Sequence, residues 1–186
     1  HALCGRAFVT VMLGTPVDAL REIDTLEVVA VDNGIAYYEA VASFLRGWCL
    51  AAQGHFEPGL SLIASGLAAY RAAGTLLYVS GFLRMSAEAH AWAGRTAEAL
   101  VLVKEALAVM DSTWQCWDAA EIHRVHGTIL RAMHEDAAAE EAFRHSLDIS
   151  RGQGAMLWEL RATRDLAALL TARGASAQGM PLPQRP

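Results

Sequence analysis

A chain of 186 residues, 54% of them hydrophobic and only 19% charged, with a mean hydropathy of +0.24, is long and apolar enough for a sizeable core, which excludes global disorder. A net charge of −5, with Lys104 as the single lysine and no arginine-rich block, excludes the clustered positive charge that nucleic acid or an anionic membrane surface requires. Cys4, Cys49 and Cys116 are widely spaced and follow no CxxC or Cys/His pattern, so they read as reduced thiols of a cytoplasmic protein, and no apolar run of roughly 18 residues offers a membrane span.

Taken in chain order, the first helix is predicted near 1–13. His1 already lies inside its pattern, so the chain is expected to be part of a longer polypeptide. Thr15-Pro16-Val17-Asp18 reads as an N-cap, a proline in the first turn and a carboxylate near the helix start, opening a helix near 16–31. Its segment Thr25–Val31 is ambiguous by composition, but the flanking periodicity keeps it helical. Helices follow near 35–53 and 56–73, the latter with Pro58 in its first turn. Next come 75–93 and 96–111, where Leu100, Val103 and Leu107 keep the i, i+3, i+4 spacing of an apolar face. Then come 115–133, 136–151 (opened by Asp136 and an Ala/Glu run) and 155–173. Gly179, Pro181, Pro183 and Pro186 fall where a further helix would start, so 175–186 is expected as a disordered tail beyond a repeat domain of 1–174. The helix at 155–173 is then expected to act as a solvating cap.

These helices repeat. Gly14, Gly54, Gly94 and Gly174 are spaced by 40, 40 and 80 residues, with His134 in the empty slot. Gly34, Gly74 and Gly154 form a second ladder, with Trp114 in its empty slot. Small residues recur at Ala7, Gly47, Ala87, Gly127 and Ala167, and again at Ala19, Gly59, Ala99 and Ala139. A large apolar side chain recurs at Ile23, Ile63, Val103 and Phe143. Glycine supplies the turn conformation, and small residues at fixed sites on successive helices let the two axes approach closely. The architecture predicted is an all-α solenoid of four helical hairpins, period 40, plus a closing helix.

The small/large order within each unit resembles the tetratricopeptide (TPR) pattern. Unit two gives Gly47, Gly54, Gly59, Ile63 and Gly66, and unit three gives Ala87, Gly94, Ala99, Val103 and Ala106. The period exceeds the roughly 34 residues of standard TPR units, by about one turn or less per helix. The segments Trp117–Leu130, Ala139–Gly154 and Trp158–Ala162 with the following DLAALL run are similar to C-terminal TPR-like regions of large bacterial signalling proteins. In those, a class III adenylate/guanylate cyclase domain or a winged-helix domain precedes a STAND-type AAA ATPase. The resemblance implies an interaction and regulatory region whose catalysis resides upstream, and no GxxxxGK[ST] phosphate loop occurs in this chain.

Candidate contact residues follow from the same registers. Arg84, Arg124 and Arg164 form a 40-residue ladder that a TPR-like superhelix would turn toward its concave groove, where guanidinium groups could clamp carboxylates of a partner segment. Glu88 is a further candidate contact of the concave face, but at i+4 from Arg84 it offers intrahelical pairing instead, as Glu121 does at i−3 from Arg124, whereas Arg164 has no partner at those spacings. Trp48 and Trp92 fall in registers that could line the groove and anchor an apolar ligand. Tyr37, Tyr38, Tyr78, Trp114, Trp117 and Trp158, at first-helix starts, read as inter-repeat packing, with stacking or anchoring on one rim as the alternative. His123 and His126, with Glu121 and His90 nearby, read as packing and surface residues, so no metal, cofactor or catalytic residue is expected. The expected partner is a protein or peptide segment, including the polypeptide's own ATPase or cyclase domains. Self-association is a further expectation from the apolar composition. A stand-alone scaffold and a ligand-sensing domain are the alternatives.

Overall fold

The computed structural model describes residues 2–13, 16–74, 77–114 and 116–178. Among these it has nine helices and no strand. They are α1 (Ala2–Met12), α2 (Pro16–Asp32), α3 (Ala36–Ala52), α4 (Phe56–Ala72), α5 (Val79–Trp92), α6 (Thr96–Thr113), α7 (Ala119–Ala132), α8 (Asp136–Gln153) and α9 (Met156–Gln178). The TPR-like, all-α hairpin architecture read from the sequence is the observed one, and Thr25–Val31 is helical within α2.

The turns obey the glycine ladders, including their exceptions. Gly34, Gly54, Gly74, Gly94 and Gly154 all have positive φ, and so do His134 (φ 63°) and Trp114 (φ 57°), the two residues that stand in the empty slots. After α3 the His55 N–H donates to the Leu50 carbonyl at 2.9 Å, and after α7 the Glu135 N–H donates to Leu130 at the same distance. Both are the 6→1 bonds of a helix end closed through a left-handed residue. His134 thus holds the geometry of Gly54 at the cost of a Cβ in the left-handed region. Gly14 lies outside the described residues. Gly174 departs from the ladder: it stands inside α9, which runs on to Gln178. Residues 179–186, most of the expected tail, lie outside the described residues.

Two helices start later than predicted. α5 begins at Val79 rather than residue 75, and α7 at Ala119 rather than residue 115. In each case a side chain takes up a carbonyl ahead of the helix. The Tyr70 hydroxyl donates to the Leu77 carbonyl, and Gln153 Nε2 donates to the Cys116 carbonyl at 2.6 Å. Tyr78, at φ 63°, marks the reversal before α5.

The chain divides into two compact units, residues 1–112 and 113–186. In the first, α1 packs on α2, α2 on α3, α3 on α4 and α4 on α5. Its core holds Ile23, Phe44, Leu45, Ile63, Tyr70, Phe82, Leu83 and Met85, none more than 2% exposed. Phe82 meets Phe44 at 4.5 Å and Tyr70 edge-on at 4.7 Å between ring centroids. The small-residue registers are where α3 and α4 touch. A Cβ on Gly47 would stand 2.6 Å from the Gly59 carbonyl oxygen and 2.7 Å from the Ile63 nitrogen. One on Gly66 would stand 2.7 Å from the Phe44 nitrogen. In the second unit α7 packs on α8 and both on α9. There Gly127 faces the Phe143 ring, and Ser146 Oγ donates to the Ala120 carbonyl at 2.6 Å. Ile122, Ile129, Phe143 and Leu169 fill that core.

Candidate interaction site

A network of charged side chains joins α7 and α9 in the second unit. Glu121 and Arg124 lie one turn apart on α7, and both are buried. Arg124 donates from Nε to Glu121 Oε2 at 2.8 Å and from Nη2 to Glu121 Oε1 at 2.9 Å. Its Nη1 reaches across to Asp165 Oδ2 on α9 at 2.8 Å. Arg161 of α9 donates back to Glu121 Oε1 at 2.8 Å. Asp165 Oδ1 also accepts from Nε and Nη2 of Arg164, at 2.9 and 2.8 Å. Five side chains thus form one network, with the guanidinium groups of Arg124, Arg161 and Arg164 facing the carboxylates of Glu121 and Asp165. The excess positive charge sits at the solvent edge, because the Arg164 side chain is 71% exposed while that of Arg124 is 8% exposed.

The ladder Arg84, Arg124, Arg164 therefore splits by burial. In the first unit Arg84 is 4% exposed, and its Nη1 lies 3.5 Å from Glu88 Oε2, the i+4 carboxylate. Arg84 and Arg124 are turned inward to carboxylates of their own helices, and only Arg164 of the three presents its guanidinium to solvent. Arg164 pairs with Asp165, its chain neighbour, at a spacing the helix-face argument does not cover. Arg161 and Asp165 are absent from the candidates that the ladders supply. A signal for them exists: Arg161 stands one period after Glu121, so the acidic slot of α7 becomes a basic one on α9.

Trp48 and Trp92, the groove-register aromatics of the first unit, are in contact, with ring centroids 5.1 Å apart and planes at 60°. Trp48 is 8% exposed and Trp92 39%. The Trp48 Nε1 is buried and finds no hydrogen-bond partner among the described residues. Of the aromatics at first-helix starts, Tyr37 meets Tyr70 and Trp117 meets Trp158, as packing residues should. Trp114 does not pack: it is 88% exposed, on a left-handed backbone.

His123 of α7 stands edge-on to His145 of α8, with centroids 4.3 Å apart. Burial, with the adjacent His145 and His126, pushes its pKa down to about 4. No group of three or more His, Cys, Asp or Glu side chains is arranged to hold a metal ion among the described residues. The three thiols are free, and burial raises Cys49 to about 11. No helix among the described residues is long and apolar enough to cross a membrane.

No protein-family model and no curated relative matches the sequence. Solved structures with the same architecture exist. A Podosopora anserina kinesin light chain protein with nearly identical TPR-like repeats matches at TM-score 0.63, with 13% identity, over 95% of this chain and 88% of that one. A point variant of that protein matches at 0.64. The apo form of RapI matches at TM-score 0.56, with 12% identity, over 93% of this chain and 67% of that one. At such identity the likeness is one of fold: the chain is a TPR-like helical repeat.

Proposed function

We propose that this chain is a non-catalytic protein-interaction and regulatory module of the cytoplasm, holding a peptide or partner segment with carboxylate side chains. The observation that carries this reading is the excess guanidinium charge at the edge of the α7–α9 network, where Arg164 is 71% exposed. A buried, hydrogen-bonded network fixes the position of that charge, and a planar guanidinium suits bidentate capture of a carboxylate. The sequence resemblance extends the reading: the module would belong to a bacterial signalling ATPase, cyclase or regulator and bind that polypeptide's own domains.

Two measurements test it. Fluorescence anisotropy against a library of short Asp/Glu-containing peptides should find binders that Arg164→Ala weakens by about tenfold, or about 1.4 kcal/mol. A library with no binder sensitive to Arg164 overturns the carboxylate reading. Deleting these repeats from the full-length polypeptide should change its nucleotide turnover, and unchanged turnover overturns the regulatory reading.

A second reading, a ligand-sensing domain, is favoured by the first unit alone. The Trp48–Trp92 pair combines an exposed ring with a buried indole N–H lacking a partner among the described residues. Metabolites that raise the melting temperature of the wild type but not of Trp92→Ala would support it.

A further inference from the structure

α9 buries one face and exposes the opposite one. Ala162, Leu166 and Leu169 are buried against the rest of the second unit. On the other side stand Met156 (81% exposed), Leu160 (68%) and Leu170 (41%), along with the exposed Ala167 and Gly174. A helix expected to cap the repeats with polar residues instead shows solvent an apolar stripe at i, i+4, i+11 and i+18 spacing, which is a single helical face.

The repeat says what geometry belongs on that face. Leu160 occupies the register of Ala40 on α3 and Ala120 on α7, and Ala167 that of Gly47 and Gly127. Those residues are buried in both earlier helices. In each case the cover is a second helix, α4 or α8, and three of the four contacts are made by a small residue of that helix. A Cβ on Gly66 would lie 2.9 Å from the Ala40 carbonyl oxygen, and Ser146 hydrogen-bonds the Ala120 carbonyl. The Gly47 contact is with Gly59, and the Gly127 contact is with Phe143 and the Ala139 carbonyl.

Two occupants can be weighed. A second copy of α9, antiparallel and centred on Ala167, would set Arg161 opposite Arg173 and bring no acid to Arg164. An acidic helix of another protein meets both demands. On α7 the register of this face carries Glu121 with Arg124, and Arg124 spends three nitrogens on carboxylates. On α9 the same two places hold Arg161, turned to Glu121 of α7, and Arg164, so three guanidinium groups share the carboxylates of Glu121 and Asp165, and the exposed Arg164 at the edge of this face carries the surplus that a carboxylate from outside would balance.

We propose that the exposed face of α9 docks an acidic amphipathic α-helix of a partner protein, with small residues opposite Leu160 and Ala167 and a carboxylate at Arg164. This is helix-in-groove recognition, in which the partner completes the repeat in trans. It rests on the carboxylate reading of Arg164 and not on the regulatory one, and a substitution at Leu160 tests the apolar face separately because it leaves Arg164, Trp48 and Trp92 in place.

The test uses a lactam-stapled, fluorescent peptide of residues 136–153, the sequence of α8, which covers these registers on α7 with Ser146 and Ala139 and carries Asp136, Glu140 and Glu141. The full chain should bind it saturably below about 1 mM. Leu160→Glu and Ala167→Trp, both at exposed positions, should each weaken binding at least tenfold with unchanged helicity and melting temperature. Arg164→Glu should weaken it and flatten its salt dependence. Absence of saturable binding, equal binding of a stapled peptide of scrambled order, or indifference to Leu160→Glu overturns the proposal. So does a dimer, seen by sedimentation without peptide, that Leu160→Glu dissolves, because a second copy would then own the face.

Discussion

Arg124 grips both carboxylate oxygens of Glu121, one turn back on the same helix, at 2.8 and 2.9 Å, with Glu121 only 1% exposed. A buried pair of this kind contributes little over well-packed apolar side chains, but removing one member strands the other's charge. Glu121→Gln should therefore destabilise the protein by about 3 kcal/mol, because Arg124 and Arg161 lose a shared counter-charge. The double variant Glu121→Leu/Arg124→Met should lose less than the sum of the single ones. Urea unfolding followed by circular dichroism measures both, and strict additivity would show that the two side chains do not act as a pair.

Close approach of α3 and α4 rests on the absence of a Cβ at Gly47. The atoms in the way are the Gly59 carbonyl oxygen at 2.6 Å and the Ile63 nitrogen at 2.7 Å, both backbone, so no side chain can swing aside. Gly47→Ala should cost about 1–3 kcal/mol despite alanine's better helix propensity. Gly127→Ala should cost less, since its nearest obstacle is the Phe143 ring.

His134 performs a glycine's task, with φ 63° at the α7–α8 turn, and its side chain is exposed. His134→Gly relieves the left-handed penalty of roughly 1 kcal/mol without emptying the core. The melting temperature should rise by about 2–4 °C. A fall would mean that the His134 side chain makes a contact worth more than the strain.

His123 links stability to pH. Its folded pKa of about 4 lies below the ordinary 6.5, held there by burial and then by His145 and His126. Between those values the unfolded chain binds a proton that the folded chain refuses. The stability due to this group is therefore complete above 6.5 and is lost as pH falls toward 4. His123→Leu should flatten the stability profile between pH 4 and 6.5, and the His123 ring resonance should titrate near 4 by NMR. A midpoint near 6.5 would remove the linkage.

The thiols should react in order of access. Cys116 is exposed, Cys4 half-buried and raised by burial, and Cys49 fully buried and raised to about 11. Because the thiolate is the reactive form, iodoacetamide at about pH 8 should label Cys116 first and Cys49 only on unfolding. Mass-spectrometric labelling kinetics check this order.

Much of the architecture was present in the sequence because each hairpin is built from local rules that recur. A positive-φ turn, a small residue at each contact and a large one beside it repeat every 40 residues, and the slots filled by His134 and Trp114 adopt the glycine conformation because the ladder demands it there. Local rules also placed Glu88 beside Arg84 and Glu121 beside Arg124, since i, i+3 and i, i+4 neighbours share a face on any helix. Tertiary structure decided what spacing along one helix does not encode. Asp165 meets Arg124, and Arg161 meets Glu121, only because α7 and α9 lie side by side. That contact buries Arg124, leaves Arg164 outward, and turns one member of an arginine ladder into the surface charge. The late starts of α5 and α7 have the same origin, a side chain from another element claiming a backbone carbonyl. Burial and partnership across helices depend on which faces meet, and periodicity alone states only that each helix has a face to offer.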